Sequence, residues 1–478
     1  MVTRGLCRHA CPLCGSGVRH ASVKSISGRY YPVRGILLAW SELLRSGSHF
    51  LLGRRDVVDE NSFDIAIIGG GVIGVACALE LARRGASVAV LERDRIGHAC
   101  SFGNAGWLTP SLARPLAAPG QVRRALPWLL DGESPFYIKP RLSLSLARWL
   151  LGFALSGRDW DRFERNTRAL VELCNFSTDA WEELSERSDR SFGYARRGML
   201  SVYESQAGFD EGRRLAAMCE PFGVPYEVLS AEQVRAREPV IKGRQVGAIF
   251  YPRDAQCEPD RAVLALAEDA RAAGVTLYED AEVLDVQRRA GTVHSVQTTR
   301  GTYRADQFVL AAGAWSGQLG RAFALRVPIL GAKGYSFLLP KLDRHPGCSI
   351  FLAERKIGIN PHDEVLRLAG TLEIVGLDLS VNMRRVRAIA KGAAGMLAIA
   401  DPARQVRLWR GLRPCTPDGM PMIGRAGGYE NLWLATGHQM TGLKTAPGTG
   451  RLLAELMTGQ PPSFDPEPFR ADRYARRR

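Results

Sequence analysis

The chain has 478 residues, 46% hydrophobic and 24% charged, with 50 Gly and 26 Pro. These values exclude a wholly disordered protein and suit two or three domains. A formal net charge of +15 invites a nucleic-acid or anionic-membrane partner, yet residues 1–55 carry +8 and residues 470–478 carry +4, leaving +3 for 56–469. Ten cysteines at irregular spacing exclude a disulfide-rich secreted scaffold and point to a reducing, cytoplasmic compartment.

In chain order, residues 1–61 are rich in Arg, Ser and Gly and predict an unstructured basic extension. Its one apolar stretch, Gly35–Trp40, is too short for a signal-peptide core. Cys7, Cys11 and Cys14 have a C-x3-C-x2-C spacing that suits three ligands of an iron–sulfur cluster, and His9 and His20 add a zinc alternative. With no second half-site nearby, the expectation is no metal.

The strongest local signal begins at Phe63. Asp64–Ile68 is an apolar run of buried parallel-strand type, followed by Gly69, Gly71 and Gly74 in G-x-G-x-x-G spacing. Val75–Arg84 reads as a helix ended by Gly85, and Ser87–Leu91 as a second strand closed by Glu92. Gly69 suits the tight turn, Gly71 lets a pyrophosphate reach the backbone, and Gly74 lets helix and strand pack closely. The helix N-terminus offers free N–H groups to phosphate, and Glu92 stands where ribose hydroxyls are bound. An acid at that point disfavours a 2′-phosphate, leaving FAD or NAD. The four glycines and Glu80 within Ile65–Ala82 exclude a membrane span.

Further on, Leu142–Ser156 is apolar with Arg141, Arg148 and Arg158 around it, which predicts a cap helix over the cofactor or, alternatively, a helix on a membrane surface. Residues 160–187 carry an amphipathic pattern with Trp181 in the core. Gly198–Glu204 reads as a strand and Pro259–Ala273 as a helix. The runs Val275–Tyr278, Val283–Val286, Val293–Thr298 and Phe308–Ala312 read as strands, the last returning the chain to the first domain. Gly334–Leu339 and Gly370–Val375 predict strands of a second domain. Thr445–Met457 predicts a helix behind a glycine-rich lead-in, a second anion site of the helix-N-terminus kind.

Five ordered motifs add a resemblance: the glycine fingerprint, Cys100–Gly106, Val309–Ser316, Trp409–Gly419 and Leu434–His438 running on to Gly442–Gly450. Over roughly 62–478 the chain resembles the D-amino acid oxidase (DAO) superfamily of FAD-dependent amine oxidoreductases. It looks most like the branch of D-amino acid, D-proline and D-hydroxyproline dehydrogenases. The resemblance implies an α/β fold with a Rossmann-like FAD-binding domain (62–159, 256–320, 406–478) interleaved with a mixed-sheet α+β substrate domain (160–255, 321–405). It also implies that Gly69, Gly71, Val72, Ile73 and Gly74 hold the FAD pyrophosphate and that Glu92 with Arg93 holds the adenosine ribose. Ser101, Asn104, Ala105, Gly106 and Leu108 pass near the flavin, Val283 meets the adenine, and Gly313 turns beside the cofactor. Gly442, Leu443 and Lys444 approach the pyrimidine edge of the flavin. Arg413, in Gly-Leu-Arg-Pro, is the implied carboxylate clamp, with Tyr335 and His438 as further catalytic candidates.

The implied activity is oxidation of a D-amino acid, D-proline or D-hydroxyproline among them, by hydride transfer from Cα–H to flavin N5. The product is an imine, then a 2-oxo acid or a pyrroline carboxylate. The expected partners are a small amino acid and a quinone or other electron acceptor, with no nucleic acid, and peripheral contact with the inner face of the membrane is compatible. FAD is expected to be non-covalent, because Cys415 lies beyond the cysteine to which sarcosine oxidases attach flavin. Two alternatives stand beside this: a glycine- or sarcosine-type oxidase using O2, and an RNA-acting flavoprotein using the basic ends.

Overall fold

The computed structural model describes residues 61–129, 131–399 and 407–475, with the backbone of two short strands before them. The chain divides into two units, Met1–Asp59 and Glu60–Arg478. In the first, Ser22–Lys24 pairs antiparallel with Tyr30–Pro32, a hairpin where no structure was expected. Cys7, Cys11, Cys14, His9 and His20 lie outside the described residues.

The second unit is built on two sheets. The first has a parallel centre in the order Thr276–Tyr278, Val88–Leu91, Ser62–Ile68, Gly301–Leu310, Leu432–Thr436. Its strands read as apolar runs because both faces are covered: all of Val88–Leu91 and Ile65–Ile68 is buried. Gly301–Leu310 divides its edge, pairing antiparallel with Thr292–Thr298 over its first half and parallel with Leu432–Thr436 over its second. On one face the helices Val72–Ala82, Pro259–Ala272 and Gly442–Thr458 share a core with Trp181 of Trp160–Arg187. A methyl at Gly450 would lie 2.5 Å from the Ala76 carbonyl, so the first and last of these helices touch backbone to backbone.

The second, nine-stranded sheet runs Arg407–Cys415, Leu330–Pro340, Val365–Ile374, Ile357–Pro361, Ser349–Leu352, Met199–Tyr203, Gly247–Tyr251, Glu227–Ser230, with Phe136–Ile138 beside Val365–Ile374. Helix Met383–Ala394 packs on one face through Val386 and Ile389. Two strands cross the sequence-based boundaries: Phe136–Ile138 and Arg407–Cys415 fall in segments expected to serve the cofactor domain. The reason is register. Arg407–Cys415 makes nine consecutive pairings with Leu330–Leu338.

Helix Leu144–Ser156 does not stand free as a cap. Trp149 donates its indole N–H to the Cys415 carbonyl at 3.0 Å, and Leu146 and Trp149 pack with Leu372 and Ile374 against the second sheet. The last long helix starts at Gly442, three residues earlier than the pattern predicts, which moves Pro447 from its first turn to its second. Proline has no N–H for the carbonyl four residues back. That carbonyl, of Leu443, accepts the Trp181 indole N–H at 3.0 Å instead.

Candidate active site

The glycine turn is built by close approach. Gly69 has φ +114°, and a methyl there would sit 2.7 Å from the Ala311 carbonyl; one at Gly74 would sit 1.9 Å from Gly69 O. At Gly71 a methyl would meet only Ser101 Oγ at 3.5 Å, and at Gly313 (φ +52°) nothing within 4 Å. Both turns therefore face open space, as backbone that cradles a ligand must. No side chain caps the helix at Gly71; the Val72 N–H donates to Ser101 Oγ at 3.1 Å, and Ile73 follows in the same first turn.

Glu92 accepts from the N–H of Gly70 at 2.7 Å and of Asp94 at 3.0 Å, one on each carboxylate oxygen. Burial pushes its carboxyl up, against those two bonds. Its own backbone pairs with Tyr278 and Ala281, which brings the strand from Val283 to the same edge. Arg93 lies over the Trp315 ring at 4.5 Å, next to the Gly313 turn. These residues, scattered from 69 to 315, converge at the C-terminal ends of the parallel strands, where open α/β sheets bind ligands.

The loop after Cys100 is held from two sides. Asn104 donates to Ser101 O and accepts from the Gly106 N–H, so its amide shapes the loop. Asn360 Nδ2 donates to Ala105 O at 2.8 Å and the Ser336 hydroxyl to Gly103 O, tying the loop to the second sheet. A methyl at Gly103 would strike the Trp409 ring at 2.4 Å. Leu108 is buried in a short ladder with Ala255. Sequence reasoning missed Ser336, Asn360 and Trp409. The signal was present for two of them: a lone polar residue in an apolar strand must find a partner.

Trp409, Gly411 and Arg413 alternate onto the face of Arg407–Cys415 that carries Trp409 to this loop. Arg413 donates Nη1 to Thr371 O at 2.8 Å and has no carboxylate partner among the described residues. Burial pulls its guanidinium down, against the opposing influence of the Cys100 and Cys415 thiols. Those thiols are themselves pushed up by burial, to about 11 and about 12.

Tyr335 is not in this group. Its neighbour Ser336 points to the loop, so Tyr335 points to the opposite face, where it meets Glu373 Oε2 at 3.3 Å and accepts from the Asn382 N–H. There Glu373 lies 3.5 Å from both Lys333 and Arg385, all three buried. His438 lies beside Cys415 through its backbone, but its ring turns into the last helix and pairs with Thr449 at 3.0 Å. Burial pulls that ring down to about 3, so it is neutral.

The helix from Gly442 has no side-chain cap, and a methyl at Gly442 would meet only His438 Cβ at 3.6 Å. Its first N–H groups are open donors. Lys444 is buried and turned away to Thr109, 2.6 Å from Oγ1 and 3.1 Å from the carbonyl, and burial pulls its ammonium down. In the same buried cluster Ser111 donates both hydroxyl and N–H to Asp254, whose carboxyl burial pushes up to about 7.

The donors, the open turns and the carboxylate fit FAD. The comparisons agree. D-amino acid dehydrogenase of Methylobacterium nodulans is 33% identical over 417 residues, covering 86% of this chain and 99% of that protein. The protein of the same name from Chromohalobacter salexigens is 32% identical over 418 residues, covering 86% and 99%. Among solved structures, glycine oxidase from Geobacillus kaustophilus superposes with a TM-score of 0.71 at 26% identity, covering 87% and 99%. L-proline dehydrogenase from P. horikoshii has the same fold, with a TM-score of 0.69 at 21% identity, covering 87% and 98%. The family model for FAD dependent oxidoreductases (DAO) matches residues 64–456, and the chain belongs to that family.

Proposed function

We propose that the protein is an FAD-dependent dehydrogenase of D-amino acids, with cyclic ones such as D-proline and D-hydroxyproline in its range and a quinone as electron acceptor. The observation that carries the substrate class is Arg413: a half-buried guanidinium with one backbone acceptor and no carboxylate partner among the described residues, beside the loop that follows the fingerprint. Even a half-buried cation without a counter-charge loses hydration, and a planar carboxylate in the bidentate position offsets that cost. The curated relatives named D-amino acid dehydrogenase support the same reading.

Bound FAD supplies the two-electron acceptor for the substrate Cα–H bond. Arg413 holds the carboxylate and so fixes which face of Cα is presented. Gly442 and Leu443 direct peptide N–H groups, the positive end of a helix, at the edge where negative charge grows on reduction. Trp409 and the loop it packs against shield the site from water.

Arg413→Ala should keep the yellow colour and raise KM for the amino acid about a hundredfold or more; an unchanged KM would refute the clamp. A dye-reduction screen over D- and L-amino acids, with D-proline and cis-4-hydroxy-D-proline included, tests the substrate class. The structural likeness to glycine oxidase supports a second reading, an oxidase using O2. Oxygen uptake matching substrate turnover in the absence of dye would favour it.

A further inference from the structure

We propose that the outer face of helix Leu144–Ser156, with the segments at its two ends, docks on an anionic phospholipid bilayer. The helix is apolar on both sides. Its inner side is accounted for by Leu146 and Trp149, which pack on the second sheet. Its outer side carries Leu144, Arg148, Leu151 and Leu155, spaced four, three and four residues apart and so on one stripe. Leu144, Leu151 and Leu155 are 66%, 60% and 50% exposed. A helix apolar all round is normally enclosed; this one leaves half of itself to water.

The stripe continues beyond both helix ends. At the start, Leu142 is exposed, and Arg141 donates to Val375 O while Lys139 pairs with Asp378, which brings exposed Leu377 and Leu379 alongside. At the finish, a methyl at Gly157 would lie 3.1 Å from Ala118 O, so the helix abuts the turn leading to exposed Val122 and Leu126. The helix alone runs about 20 Å. A row of exposed leucines that long exceeds the scattered apolar residues of an ordinary surface.

Charge selects the occupant. Residues 114–158 hold seven Arg or Lys and only Asp131 and Glu133, a net +5 that exceeds the +3 of the whole body. Two of the seven pair with carboxylates, Arg124 with Glu211 and Lys139 with Asp378, whereas Arg123, Arg148 and Arg158 are exposed without a carboxylate partner among the described residues. A second copy would set +5 against +5 and be repelled. Anionic headgroups neutralise the arginines while the leucines enter the acyl boundary, the arrangement of an interfacial helix. The surface stands independently of the amino acid chemistry.

The test is flotation of the full-length flavoprotein with vesicles of phosphatidylcholine alone and of phosphatidylcholine mixed with phosphatidylglycerol. Wild type should float with the mixed vesicles only. Leu144→Gln/Leu151→Gln/Leu155→Gln should weaken that binding about tenfold or more while leaving flavin content and dye-linked turnover unchanged. Failure of the wild type to float would overturn the proposal. So would undiminished flotation of the triple variant, which would assign attachment to the basic N-terminal segment. Light scattering adds a third outcome: a wild-type dimer that becomes monomeric in the triple variant, with flotation intact, makes the face a self-association surface and also overturns it. Because vesicle binding is read without amino acid, it can fail while the proposed activity holds, and the reverse.

Discussion

Arg413 is aimed by what its neighbours lack. In the adjacent strand Lys333 pairs with Glu373 but Tyr335 pairs with Gly370, so Thr371 and Leu372 together oppose Gly334 in a bulge. Thr371 sits at φ +62°, a left-handed conformation that costs a β-branched residue about 1–3 kcal/mol, and its carbonyl accepts the hydrogen bond from Arg413 Nη1. A methyl at Gly334 would lie 2.2 Å from Arg413 Nη1. Gly334→Ala should therefore displace the guanidinium and raise KM about tenfold with little change in kcat or flavin content; steady-state kinetics with an artificial acceptor would show it. His438 allows a second prediction at this scale. Its folded pKa, about 3, lies below the ordinary 6.5, so the stability it contributes is complete above pH 6.5 and is lost as pH falls toward 3. Denaturant melts of His438→Gln should show a flatter acid limb than wild type, whereas the pH profile of kcat/KM should keep its shape. A shifted profile would return His438 to the reaction.

At the scale of elements, the two glycines of the fingerprint separate folding from binding. Gly74→Ala drives a methyl into Gly69 O and should give little soluble protein. Gly71→Ala meets only Ser101 Oγ, so the protein should fold but lose visible absorbance relative to protein absorbance. Trp181→Phe should cost about 1–3 kcal/mol in a thermal or denaturant melt, because it leaves the Leu443 carbonyl, already deprived by Pro447, without a donor. These elements were legible to different degrees. The fingerprint strand, its helix and the long helix from Trp160 declare themselves through local period and glycine spacing. Pro447 hid the true start of the last helix, since a proline in the second turn reads as a boundary and only a distant indole makes it tolerable. Arg413 was reached through its motif. Tyr335 was misjudged because a one-residue step along a strand changes the face, and the sheet's outward side cannot be read from Lys-Gly-Tyr-Ser. The Ser336 and Asn360 contacts join residues more than two hundred positions apart, which no local pattern encodes.

Over the whole molecule, the segment around Arg473 is fastened back onto the body. Arg473 pairs with buried Asp418 at 2.7 Å and donates to the Met420 carbonyl. Burial alone would raise the Asp418 carboxyl, but Arg473, together with hydrogen bonds from the Met420 N–H and Tyr474, outweighs it and the net shift is downward. A lowered carboxyl stabilises the fold above its ordinary pKa of 3.8 and ceases to do so as pH falls below that. Arg473→Ala should thus lower Tm by several degrees at neutral pH, with the gap to wild type closing in acid.

The division of the strand Gly301–Leu310 between two partners, and the contact of Gly450 with Ala76, also set an order of events in the cell. The glycine turn leaves the ribosome early, but its sheet lacks Leu432–Thr436 and its helix lacks Gly442–Thr458 until nearly four hundred further residues are made. At about 5–20 residues per second that interval is tens of seconds. The coenzyme therefore has no finished cradle on a growing chain. A message truncated just before Leu432 should yield a colourless product however much riboflavin the culture receives.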